Sequence, residues 1–148
     1  MKVLGIDPGD KRIGLAISDP TGTLSRPLRI VHHQSREKDA HAILEIVDAE
    51  GVELIVVGWA LDAEGRVSHA ARKAERFAEA VREMTPVPVR MWDESGTTQD
   101  AIQSRIALGV SKKKRKGHLD ALAASIMLQD FLIHNEDTLD RERCDDET

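Results

Sequence analysis

Residues 3–19 read VLGIDPGDKRIGLAISD, and this stretch decides which fold the chain can adopt. The apolar run from Val3 to Ile6 ends in four turn-forming residues, Asp7-Pro8-Gly9-Asp10. Beyond the turn, residues 13–17 alternate large apolar with small side chains, which is the period-two pattern of a β-strand. Two strands joined by so short a turn predict an antiparallel hairpin, with Asp7 at the end of its first strand.

The segments that follow add a third strand and then change period. A second turn at 19–22 precedes an apolar segment at 24–31, in which Pro27 indicates an edge strand. Helical spacing then predicts helices near 40–50, 70–85, 97–108 and from 119 onward, with strands at 54–57 and 87–92 between them. The order predicts one α/β domain over residues 1–135, in which a three-stranded antiparallel meander and two βα units share a five-stranded mixed sheet flanked by helices.

The net charge of −5 is concentrated in the last thirteen of the 148 residues. Residues 136–148 contain seven acids against two arginines and almost no apolar side chains, which predicts a disordered acidic tail. The first 135 residues carry 19 acids and 19 Lys or Arg, so the folded part is neutral. The acidic total is therefore no argument against a nucleic-acid partner.

Several protein classes are excluded by simple counts. The single cysteine, Cys144, allows neither an intrachain disulfide nor a cysteine zinc site. Only three apolar residues precede the acid Asp7 after Lys2, so the start of the chain does not resemble a signal peptide. No apolar run approaches the ~20 residues that span a bilayer. We expect a soluble cytoplasmic protein that has no membrane partner.

Acidic residues stand where predicted strands end or a predicted helix begins. Asp7 ends the first strand, Asp93 and Glu94 end the fifth, and Asp120 opens the last helix. Clustered carboxylates repel one another unless a cation lies between them, and Mg²⁺ or Mn²⁺ is the usual partner of oxygen ligands. Two such ions about 3.5–4 Å apart can clamp a phosphoryl displacement. From the residues alone, a turn or cap role is the better explanation of each acid taken singly, and together they indicate a metal site without specifying it.

A basic run stands just before Asp120. It comprises Lys112, Lys113, Lys114, Arg115 and Lys116, and the first hairpin adds Lys11 and Arg12. A phosphate backbone that reaches a metal site needs such neighbours, although a solvated charge run has the same composition. His118 lies beside Asp120, where it is a candidate for proton relay or phosphate contact, or is a plain surface histidine.

Four ordered blocks of the chain resemble the YqgF/RuvX family, whose members are assigned as Holliday junction resolvases and as nucleases that mature the 5′ end of pre-16S rRNA. The blocks lie at 3–19, at 55–58, at 92–98 and from 109 to 129, so the resemblance covers nearly the whole predicted domain. It implies an RNase H-like fold with Asp7, Glu94 and Asp120 as the metal-binding catalytic acids. Asp93, Thr97 and His118 are accessory candidates.

The chain departs from the family pattern at two places. Ser95 and Gly96 replace the Arg and Leu that usually follow the Asp-Glu pair, and Trp59-Ala60-Leu61-Asp62 stands where a Pro-containing loop is usual. Both departures concern substrate preference more than the reaction, because all three acids are present.

The leading hypothesis is a nuclease that uses Mg²⁺ or Mn²⁺, as a pair of ions held by the clustered carboxylates, on structured nucleic acid. A ribosomal precursor RNA and a branched DNA junction are both open as substrates; symmetric junction cleavage requires a homodimer, whereas trimming an RNA end requires one site. The alternatives are a non-catalytic nucleic-acid or ribosome-associated factor that keeps the fold, and a nucleotide-binding protein. The chain is too short for the second domain that would close over a nucleotide.

Overall fold

The computed structural model describes residues 1–59, 64, 66, 68–93 and 119–135. These residues form β1 (Val3–Pro8), β2 (Arg12–Ser18), β3 (Ser25–His32), α1 (Arg36–Glu50), β4 (Leu54–Trp59), α2 (His69–Met84), β5 (Val89–Asp93) and α3 (Leu119–His134). The element order confirms the predicted α/β class. The helix predicted over 97–108 and the acidic tail at 136–148 lie outside the described residues.

The strands form one mixed sheet in the order β3-β2-β1-β4-β5. β1 pairs antiparallel with β2, and β2 pairs antiparallel with β3, which is the predicted meander. β4 lies parallel to β1, and β5 lies parallel to β4. β3 is an edge strand, as Pro27 predicts, and the β2–β3 register shifts between Leu15 and Ala16. β1 therefore lies at the centre of the sheet.

Helices cover both faces of the sheet because the strands are apolar on both. Leu4 and Ile6 of β1 belong to a core shared with α1 and α2, whereas Val3 belongs to a second core shared with α3. In β4, Ile55 and Val57 face the first core, and Leu54 and Val56 face the second. This confirms the prediction that β4 is buried on both faces. We call the two sides of the sheet the α1/α2 face and the α3 face.

α3 packs exceptionally close to β1 because Gly5 has no side chain. A Cβ atom built on Gly5 would lie 2.8 Å from Cβ of Leu128 and 3.3 Å from Cε of Met127. Such a contact is far below van der Waals distance, so any larger residue at this position would push the helix away from the strand. The glycine in the opening stretch thus fixes where α3 lies.

The ends of α1 and α2 follow ordinary capping chemistry. The hydroxyl groups of Ser35 and Ser68 accept hydrogen bonds from the first-turn N–H groups of Lys38 and Ala71. Gly51 ends α1 with a left-handed φ of 69°, as its place in the sequence predicts. No helix within the described ranges is both long and apolar enough to cross a membrane.

Candidate active site

The carboxyl ends of three parallel strands meet at one edge of the sheet. Ile6 of β1 lies level with Val57 of β4, and Trp59 of β4 lies level with Asp93 of β5. Asp7 and Asp93 therefore stand at the same edge, as the sequence predicts. This edge is where parallel strands of an α/β sheet present their ligand-binding loops.

Asp7 is on the α3 face of the sheet. Side chains alternate along a strand, and Asp7 shares the side of Gly5, whose missing side chain would point at Leu128 of α3. Its antiparallel partner in β2 is Gly14, which has no side chain either. Gly14 therefore places no side chain beside the half-buried Asp7, whereas the space over Gly5 is filled by Leu128 and Met127.

The first turn of α3, which contains Asp120, belongs to the half of the helix that extends towards Asp7. The direction follows from Gln129 in the other half, whose side chain accepts a hydrogen bond from the backbone N–H of Ser25 at 2.9 Å. Ser25 lies level with Val3, at the start of β1. Gln129 therefore lies near the start of β1. The first residues of α3, including Asp120, lie towards the carboxyl end of β1. The side chain of Asp120 lies outside the described part.

Asp93 stands at the same edge of the sheet as Asp7 but on the α1/α2 face. Met91 packs on the α1/α2 core and Trp92 on the α3 core, so alternation places Asp93 on the α1/α2 face, opposite to Asp7. Trp92 ties β5 to α3, because its indole N–H donates to Oδ2 of the buried Asp130 at 2.8 Å. Its ring also meets Phe131 edge-on, with 5.4 Å between centroids.

Lys11 and Arg12 are both exposed on the hairpin that follows Asp7. Arg12 lies on the α3 face of the sheet, like Asp7, because side chains alternate along β2 and Ala16, four residues further on, packs on α3. The backbone carbonyl of Lys11 accepts a hydrogen bond from the N–H of His33 at 2.9 Å, which fixes the hairpin to the end of β3.

The other predicted site residues lie outside the described residues. They are Glu94, Thr97, His118 and the run Lys112, Lys113, Lys114, Arg115 and Lys116. Within the described ranges, no group of three or more His, Cys, Asp or Glu side chains could hold a metal ion. The cluster of Asp7, Glu94 and Asp120 therefore stays a prediction.

Asp10, the second acid of the turn, is held by α2. Its Oδ1 accepts a hydrogen bond from Nζ of Lys73 at 2.9 Å. The hydrogen bond and the charge of Lys73 lower the pKa of Asp10 below its usual value, with smaller contributions from His69 and His33. The two carboxylates of the Asp-Pro-Gly-Asp turn thus have different surroundings.

A histidine–aspartate pair stands at the same edge, and the sequence did not single it out. Nδ1 of His33 lies 2.5 Å from Oδ2 of Asp39, and Oδ1 of Asp39 accepts the N–H of Gln34 at 3.0 Å. Asp39 is buried although it belongs to α1. An acid on the apolar stripe of a helix, four residues before Ile43, is the only sequence signal that it carries.

Comparisons with known proteins agree with this arrangement. The family model described as RuvX, Holliday junction resolvase, matches residues 1–134. The chain belongs to the RuvX family. A relative from Caldanaerobacter subterraneus is 41% identical over 133 residues, which cover 89% of this chain and 96% of that protein. One from Halothermothrix orenii is 37% identical over 132 residues, or 89% of this chain and 94% of that protein. Both are named provisionally as pre-16S rRNA nucleases.

Solved structures confirm the predicted RNase H-like fold. Thermus thermophilus RuvC, in complex with a Holliday junction substrate, superposes with a TM-score of 0.60 at 21% identity, covering 92% of this chain and 96% of that one. The fowlpox virus Holliday junction resolvase superposes with a TM-score of 0.53 at 14% identity, covering 93% and 99%. The RuvX family member described here is a nuclease, an enzyme that hydrolyses phosphodiester bonds.

Proposed function

We propose that this RuvX-family nuclease cleaves structured nucleic acid at a divalent-metal site built from Asp7, Glu94 and Asp120. The observation that carries the proposal is the position of Asp7 at the carboxyl end of the central strand, on the face covered by the helix whose first turn contains Asp120. In the sequence, Glu94 comes directly after Asp93, the last residue of β5.

The donor chemistry at this edge fits Mg²⁺ or Mn²⁺. The proposed ligands are carboxylates only, and hard divalent cations prefer oxygen ligands. Gly14, the partner of Asp7 in β2, has no side chain, so β2 places no bulk beside the Asp7 carboxylate where an ion and a phosphate would approach. A pair of ions, when bound, activates a water molecule and stabilises the leaving oxygen.

The chain's own residues hold the substrate and position its phosphate. Asp7, Glu94 and Asp120 would fix the ions, while Lys11 and Arg12 neutralise phosphates that flank the scissile bond. The basic run 112–116, which precedes Asp120 in sequence, would add further phosphate contacts. Such contacts position the nucleic acid without reading its sequence.

We propose a precursor of 16S rRNA as the principal substrate, cleaved towards its 5′ end in the cytoplasm. Relatives with 34–41% identity over nearly their whole length carry that name. A four-way DNA junction is the second candidate, because the family model is named for it. Symmetric junction cleavage would require a homodimer with two sites, whereas RNA trimming would need only one.

Replacing Asp7 by Asn tests the proposed site. We expect Asp7→Asn to lower the cleavage rate by more than about a hundredfold, because even changes around metal ligands cost 10–100-fold. Cleavage of labelled precursor rRNA and of labelled junction DNA is measured in Mn²⁺ and in EDTA, and Asp120→Asn is measured beside it. Asp10→Asn is the matched control, since it makes the same change three residues away on the carboxylate that binds Lys73.

Cleavage in EDTA, or cleavage that survives in both Asp7→Asn and Asp120→Asn, would exclude the proposed site. Binding of either nucleic acid by the wild type without cleavage in Mn²⁺ would instead favour a non-catalytic factor that keeps the fold.

A further inference from the structure

One segment of the chain is strongly basic although the folded part as a whole is neutral. Residues 11–36 contain five Lys and Arg against a single acid, Asp19, a net charge of +4. Two of the five are Lys11 and Arg12. The other three are Arg26 and Arg29 in β3 and Arg36 at the start of α1, and we call these three the β3-edge ridge.

The ridge runs along the exposed edge of the sheet. Arg26 pairs with Ile17 and Arg29 pairs with Leu15, so both arginines leave the sheet on the α1/α2 face. They stand about 10 Å apart along a strand of eight residues that spans about 26 Å. A nucleic-acid strand places several phosphates over that length.

The charges of the ridge are not neutralised by ion pairs within the described part of the chain. All three arginines are exposed, and none of their side chains forms a salt bridge or hydrogen bond with another described residue. Asp19, the only acid of the segment, is bound within its own turn by the hydroxyl of Thr21 and by the N–H groups of Thr23 and Leu24.

The ridge leads to the edge that carries Asp7. β3 ends at His32, which lies level with Arg12, and His33 is fixed to the carbonyl of Lys11. Just beyond lies a cavity of about 270 Å³ behind the Asp7-Pro8-Gly9 turn, whose lining includes Arg36, His33 and Lys73. Basic side chains thus extend from the middle of β3 to the hairpin of the candidate active site, with two acids among them, Asp39 beside His33 and Asp10 beside Lys73. Arg26 and Arg29 lie on the α1/α2 face and Arg12 on the α3 face, so a bound strand would have to cross from one face to the other at the hairpin.

We infer that the β3-edge ridge binds the phosphate backbone of the substrate strand and guides it over the β1–β2 hairpin to Asp7. The inference rests on the proposed function and adds a track separate from the basic run at 112–116. Charged residues and proline on an edge strand also protect a sheet from pairing with other chains. That second role makes a different prediction, so experiment separates the two.

The test is the salt dependence of binding in EDTA, where cleavage does not interfere. Binding of fluorescent precursor rRNA and junction DNA is measured over a fourfold range of KCl for the wild type and for the Arg26→Gln/Arg29→Gln variant. Two lost phosphate contacts should reduce the slope of log K against log salt by roughly 1.4–1.8. Arg26→Lys/Arg29→Lys keeps both charges and should restore the slope.

The matched control is Arg72→Gln/Arg76→Gln, which removes the same charge from exposed positions of α2. Its slope should equal that of the wild type. If both double variants change the slope equally, the effect is general charge, and the ridge is not a binding track. If Arg26→Gln/Arg29→Gln aggregates on size exclusion but binds with the wild-type slope, edge protection is its role and the inference is wrong.

The outcomes for the ridge and for the nuclease site are distinguishable. A wild-type protein that cleaves in Mn²⁺, with an unchanged slope in the ridge variant, overturns the ridge alone. A wild type that binds without cleaving overturns the nuclease site alone, and the slopes still decide the ridge. A wild type that binds neither nucleic acid overturns both.

Discussion

At the carboxyl edge of the sheet, the face on which a side chain lies decides whether it can reach the candidate site. Asp7 and Asp93 stand at the same edge, yet the alternation of β1 and β5 places them on opposite faces of the sheet. A shift of one residue in either strand would exchange the faces. The parity of each position therefore decides which acid can join Asp120, and it favours Asp7 and disfavours Asp93.

The hydrogen bond between Trp92 and Asp130 should contribute measurably to stability. Trp92→Phe keeps the aromatic ring but leaves the buried Oδ2 of Asp130 without its N–H donor. We expect a loss of about 1–3 kcal/mol in the free energy of unfolding, measured with urea. The matched control is Trp59→Phe, because no hydrogen bond to that indole is found among the described residues. Equal losses in the two variants would contradict this prediction.

At the scale of elements, the contact between α3 and β1 sets the candidate site. The helix carries Asp120, the strand carries Asp7, and their separation is fixed where Leu128 meets Gly5. Since the two elements pack without a side chain between them, a single added carbon moves one relative to the other.

Gly5→Ala should therefore lower both stability and cleavage. We expect a loss of about 1–3 kcal/mol in the free energy of unfolding from overpacking, and a lower cleavage rate per folded molecule. Gly51→Ala is the comparison, because its strain is confined to a left-handed residue with nothing within 4 Å of the new Cβ. Unfolding in urea and cleavage in Mn²⁺ are measured for both. If both variants cleave at the wild-type rate per folded molecule, the distance between α3 and β1 does not control the site.

Most of the architecture could be predicted because the strong signals are local. Alternation in 13–17, the β-branched run at 54–57 and the helical stripe of α2 each depend on a few neighbouring residues. Pro27 predicted the edge strand, because proline has no N–H to donate to a neighbouring strand. The family's motifs added the order of the blocks, and the match over residues 1–134 confirms it.

Long-range polar contacts could not be predicted in the same way. Gln129 bonds the backbone of Ser25, and Trp92 bonds Asp130, across 104 and 38 positions of the chain. No periodicity links such positions. The sequence shows that a polar residue lies within an apolar helix, but it does not indicate which residue it will hydrogen-bond. The ridge could not be predicted for a related reason, because its arginines are separated in sequence and only the fold shows which face of β3 they share.

For the whole molecule, the distribution of charge matters more than its sum. The segment 11–36 is basic, whereas residues 136–148 carry a net charge of −5. An acidic segment can compete with the phosphates of a nucleic acid for a basic surface. This competition is strongest at low salt, where charges are screened least.

Removal of residues 136–148 should therefore strengthen non-specific binding. We expect a several-fold higher affinity for random-sequence duplex DNA at about 0.05 M salt, and no difference near 1 M, where the Debye length is about 3 Å. Fluorescence anisotropy measures the affinity. The control replaces the seven acids of the tail by their amides, which keeps its length and should have the same effect as deletion. An unchanged affinity at low salt in both variants would show that the tail does not compete for the basic surface.

The close packing of Leu128 against Gly5 also bears on when the enzyme becomes active during its synthesis. Gly5 leaves the ribosome early and Leu128 late, so the contact that sets the distance between Asp7 and Asp120 forms only after nearly all of the intervening chain has emerged. A partly made chain would then lack a complete cutting centre. If Asp7, Glu94 and Asp120 form the proposed site, cleavage would therefore begin only once α3 has docked on β1.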